Sequence, residues 1–101
     1  MATYRMEDGT ILKTENAVAS WNEVQDWNGN NHISRATRTQ WEHQRLFKSR
    51  RGRYWIEFSS QWQGSLPRAE WVSKQQAAAW LLLMEHELPE DLREIAKSIE
   101  E

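Results

Sequence analysis

Seven tryptophans in a chain of 101 residues set the tightest constraint on its fold. Each indole buries on the order of 150–250 Å² and carries one N–H that needs an acceptor once water is gone. Leu, Ile, Val and Phe are scarce, and a chain this poor in them stays disordered when its net charge is high. Here the net charge is only -2, and Trp, Tyr and Met restore the missing apolar area. The chain is therefore expected to fold as one domain over residues 1–101, around an aromatic core that leaves some indoles outside.

The neutrality is superficial. Residues 35–53 hold seven basic side chains and one acidic, between two acidic flanks. No Pro-rich or Gly/Ser-rich linker interrupts the chain. Cysteine is absent, which excludes disulfides, thiolate nucleophiles and cysteine-bound zinc and suits the reducing cytoplasm, the expected location. The first residues lack the apolar stretch of a signal peptide, and no run reaches the ~18 apolar residues of a membrane span.

Strand and turn signals come in succession. Tyr4–Glu7 and Thr10–Lys13 flank Asp8-Gly9, which suits a two-residue hairpin turn. Residues 17–27 fit a short strand or an irregular segment. Gln40–Lys48 and Arg53–Trp62 are rich in aromatic and β-branched residues, and Ser49-Arg50-Arg51-Gly52 lies between them as a loop. A four-residue loop pairs Lys48 with Arg53 and gathers Trp41, Phe47, Tyr54, Ile56 and Phe58 on one face, as a half-buried sheet requires. Leu46 then faces Trp55 on the other side. A three-residue loop mixes the faces, although it sets Arg45 opposite Glu57. Gly64–Pro67 is a turn signal and Arg68–Val72 a further strand.

Ser73-Lys74-Gln75-Gln76 is a capping box, and Ala77, Trp80, Leu81, Met84 and Leu88 follow at helical spacing. This predicts a helix from Lys74 to Glu87. Pro89 suits the start of a second helix, striped by Leu92, Ile95, Ala96 and Ile99. The expected fold is α+β: an antiparallel meander of four to six strands with one or two C-terminal helices on its Trp-rich face. Leu81-Leu82-Leu83-Met84 belongs to the core if the last helix docks, and becomes a dimer contact if it does not.

The segment Leu46–Ile56, followed by Glu70–Ser73 and Ala78–Leu81, resembles a pattern in small uncharacterised bacterial proteins. There an aromatic-basic-glycine-aromatic hairpin precedes a strand and a serine-capped helix. The resemblance spans residues 40–88 and implies that order of elements, but no activity.

Nothing in the chain assembles a known catalytic signature. Glycines at 9, 29, 52 and 64 cannot build a phosphate loop. His32, His43 and His86 lack partners at metal-ligand spacing, and His32, the loop histidine, has no nucleophile beside it. No cofactor, metal or catalytic residue is expected. The expected role is a non-catalytic binding or regulatory module acting on a macromolecule, with a homodimer as one form of that contact. Leu46, Trp55 and Trp62 are the candidate anchors, and Arg50, Arg51 and Arg53 would steer an acidic partner. The alternative is nucleic-acid binding by the basic tip, Lys48, Arg50, Arg51 and Arg53, because guanidinium forks grip phosphates and a two-stranded ribbon fits a groove.

Overall fold

A computed structural model describes residues 2–61, 64 and 66–99. The chain opens with a hairpin of β1 (Thr3–Arg5) and β2 (Ile11–Lys13), then a 3-10 turn at Thr14–Asn16. β3 (Ala19–Asn22) leads into a second small ribbon, β4 (Gln25–Trp27) and β5 (His32–Ser34). The long strands β6 (Glu42–Lys48), β7 (Tyr54–Ser60) and β8 (Arg68–Val72) follow, and then helices α1 (Lys74–Leu83) and α2 (Glu90–Ile99).

The central sheet has four antiparallel strands in the order β3-β6-β7-β8. β6, β7 and β8 form the expected meander, and both C-terminal helices pack on one face of the sheet. The fold is α+β.

The register departs from the four-residue loop. Lys48 pairs with Tyr54, Phe47 with Trp55, Leu46 with Ile56, and Arg45 with Glu57. Ser49 N–H donates to Arg53 O at 2.7 Å and Gly52 N–H to Ser49 O at 2.9 Å, so three residues form the loop. Gly52 has φ +83°, the left-handed conformation that closes such a loop. The first hairpin repeats the device rather than using two residues: Gly9 N–H donates to Met6 O at 2.9 Å, Met6 N–H to Thr10 O at 2.8 Å, and Gly9 has φ +86°.

This register splits the aromatic residues between two buried faces. On one, Leu46, Tyr54 and Ile56 pack with Ala77, Ala78, Trp80, Leu81, Met84 and Leu92 of the helices. On the other, Phe47 and Trp55 pack with Met6 and Leu12 of the N-terminal hairpin. The sheet is not half-buried as expected: it is covered on both sides, and such a sheet has no polar face to betray its alternation.

Two termini fix the helical layer. Ser73 Oγ accepts from Gln76 N–H at 3.1 Å while Ser73 N–H donates to Gln76 Oε1 at 2.9 Å, the expected capping box. α1 then stops earlier than Glu87. His86 N–H donates to Leu81 O and Glu85 N–H to Leu82 O, with Glu85 itself at φ 60°, a Schellman ending without its usual glycine. In the first turn of α2, Asp91 accepts from Tyr54 Oη–H at 3.0 Å and pairs with Lys48 Nζ at 3.3 Å. Burial works to raise the Asp91 pKa, but Tyr54 and Lys48 outweigh it and hold it below the ordinary value. α2 thus docks through a charged clamp as well as Leu92.

Candidate functional site

The N-terminal hairpin and the tip of the β6–β7 hairpin lie side by side and leave a groove of about 330 Å³ between them. β2 contributes Ile11, Leu12 and Lys13 to one wall, and the tip contributes Arg50, Arg51 and Arg53 to the other. Trp55 and Trp71 reach it from the sheet. Both walls exist because each hairpin closes through a glycine-terminated three-residue loop. The groove is lined by apolar and polar groups in near-equal measure, with four cations among them, Lys13, Arg50, Arg51 and Arg53.

Arg53 is the best-fixed cation there. Its guanidinium lies 3.6 Å from the Trp71 ring centroid, and Nη1 approaches Asp8 Oδ2 at 3.3 Å. Thr10 N–H donates to Asp8 Oδ1 at 3.0 Å. The bonds from Thr10, with Arg53 in support, lower the Asp8 pKa to about 2. The Trp71 indole also lies near this carboxylate, yet its buried Nε1–H lacks an acceptor in hydrogen-bond geometry. Lys13, Arg50 and Arg51 take part in none of the ion pairs among the described residues.

The sequence-derived residues divide sharply. Arg50, Arg51 and Arg53 come together at the rim, joined by Lys13, whose part was not legible because it depends on where the first hairpin docks. Lys48 leaves the group: strand alternation turns it to the helical face, onto Asp91. Leu46 and Trp55, expected as surface anchors, are 0% and 1% exposed and lie on opposite sides of the sheet. The new register puts each in a core, so neither offers an open anchor, although Trp55 lines the groove from below. Trp62 lies outside the described residues, as do Gln63 and Ser65. Arg35 ties the β4–β5 ribbon to the end of α1 through Asp26 at 2.7 Å and Glu85 at 2.9 Å.

A polar cleft of about 310 Å³ opens at the other end of the sheet, lined by Glu23, His43, Arg45, Glu57 and Ser59 among others. Glu23 organises it. Its Oε1 accepts from Gln44 N–H at 2.6 Å and Ser34 Oγ–H at 2.7 Å, and its Oε2 lies 2.6 Å from His43 Nδ1. Burial works to raise the Glu23 pKa, but the bonds from Gln44, His43 and Ser34 prevail and lower it. Here a side-chain carboxylate replaces the backbone acceptor that β3 would offer β6 if it ran one residue further. Ser34 is wholly buried, and this contact is what satisfies its hydroxyl.

His32, the expected loop histidine, packs against exposed Trp27 with ring centroids 5.1 Å apart and planes tilted by 56°. His86 Nε2 lies 2.7 Å from Asn22 O. No described helix is long and apolar enough to cross a membrane. Among the described residues no group of three or more His, Cys, Asp or Glu could hold a metal ion. Comparison with protein-family models, curated proteins and solved structures found no match.

Proposed function

We propose that this chain is a binding module that docks an acidic segment of a protein partner in the groove between its two hairpins. One observation carries this reading: three cations that make no ion pair among the described residues, Lys13, Arg50 and Arg51, line a groove that also offers apolar surface. An exposed ion pair contributes little alone, but several cations around one groove raise the association rate and select the sign of the partner. Exposed Ile11 and the Trp71 surface supply area for an apolar side chain between the acidic ones. The reading needs no catalytic group, and a cysteine-free chain suits a cytoplasmic setting.

An acidic peptide fits this groove better than a nucleic acid does, because Lys48 has left the tip and, among the described residues, no row of exposed aromatic rings lines it for base stacking. The test is fluorescence anisotropy with a short labelled peptide of glutamate and leucine, set against single-stranded and duplex oligonucleotides of matched charge. The expected result is peptide binding that weakens with salt and falls about tenfold in the R50A/R51A double variant at low salt. Tighter binding of either oligonucleotide, with a steeper salt dependence, overturns it in favour of the nucleic-acid reading.

A further inference from the structure

Arg53, which lines the proposed groove, is already paired with a carboxylate, and the chain supplies it. Asp8, on the turn of the first hairpin, reaches across to Arg53, so the two hairpins meet through the pairing expected between groove and ligand. The fit is incomplete. Only one guanidinium nitrogen approaches Asp8, at a long 3.3 Å, whereas an arginine fork can hold a carboxylate through two nitrogens at about 2.7–2.9 Å. The Trp71 indole N–H lies near Asp8 yet stays buried without an acceptor in hydrogen-bond geometry, a state that costs about as much as a lost hydrogen bond. The Asp8 side chain is 44% exposed, so it can swing into water without disturbing a core.

We infer that Arg53 and Trp71 form a carboxylate subsite in which Asp8 is an internal stand-in, displaced when an aspartate or glutamate of the partner enters. An incoming carboxylate on a separate chain is free of the turn that holds Asp8 to Thr10. It can take both guanidinium nitrogens and reach the indole N–H at once. Asp8 would then act as a competitor that sets a threshold for binding, and Arg53 as the specificity residue for a carboxylate.

This inference rests on the proposed acidic partner, and the experiment separates the two. Peptide affinity is measured for the wild type, Asp8→Asn and Glu7→Gln. Both variants remove one negative charge from the same turn, but Glu7 makes no ion pair among the described residues. Asparagine at position 8 keeps an oxygen for Thr10 N–H, and unchanged thermal unfolding confirms that the turn survives. Expected are a gain of about threefold for D8N, a smaller one for E7Q, no gain from D8N once Arg53→Ala is present, and a downfield shift of the Trp71 indole N–H on binding. Equal gains for D8N and E7Q, or an unmoved Trp71 indole, overturn the subsite and leave the acidic-partner reading standing. No peptide binding by the wild type or D8N overturns both.

Discussion

Phe47 and Trp55 stack face to face across the β6–β7 pair, with ring centroids 4.2 Å apart and planes within 9°. The contact exists only in the three-residue-loop register, and it lies under the N-terminal hairpin rather than the helices. Tyr4 meets the same indole edge-on at 6.0 Å, and its hydroxyl donates to Glu57 Oε2 at 2.6 Å. One aromatic stack therefore joins the first six residues to the middle of the sheet, and without it the groove would lose a wall.

Trp55→Ala should destabilise the domain by about 3–5 kcal/mol, since it empties a large buried site. Trp27→Ala, at a position 61% exposed, should stay within about 0.5 kcal/mol of the wild type. Urea unfolding of both variants checks the contrast. Equal costs would contradict the placement of Trp55 beneath the hairpin.

Glu23→Ala should cost about 3 kcal/mol, because it strands the Gln44 N–H and the Ser34 hydroxyl in a part-buried site. Glu23→Gln should cost less, as it keeps one acceptor oxygen. The pH dependence has a definite sign. The folded Glu23 pKa lies below the ordinary 4.5, so its contribution is complete above that value and is lost as pH falls through the lower folded pKa. Unfolding free energies at pH 7 and pH 3 should differ less in E23Q than in the wild type.

Glu85 occupies a left-handed position, φ 60°, that glycine fills without strain. Glu85→Gly should raise stability by about 0.5 kcal/mol, the relief of strain exceeding the loss of an exposed pair with Arg35. Gly52→Ala works in the opposite sense. At φ +83° a Cβ finds open space, yet the backbone conformation itself costs about 1 kcal/mol. Thermal midpoints of the two variants should move in opposite directions.

Local signals in the chain survived folding, and non-local ones did not announce themselves. The capping box at Ser73, the meander through Arg68–Val72 and the Pro89 boundary depend on neighbours within a few positions, and the structure keeps each. The β6–β7 register depended on knowing how many faces the sheet buries. That was decided by Met6 and Leu12, some forty residues upstream of Phe47 and Trp55. The same distance hid the site: Lys13 joins Arg50 and Arg51 only after the hairpin docks. Glu23 and His43, twenty positions apart on separate strands, carry no shared motif. Lys48 looked like one more cation of the tip because it lies close to Arg50 in sequence, but strand alternation sets it beside Leu46 and Tyr54 on the helical face, against Asp91.

The most direct test of the groove is a titration of the isotope-labelled protein with the glutamate–leucine peptide, followed through backbone amides. The expected result is saturable shifts confined to Ile11–Lys13, Ser49–Arg53 and Trp71, with the amides of His43 and Gln44 at the far end of the sheet unmoved. Shifts centred on His43 and Gln44, or no saturable shift at the two hairpins, would contradict it.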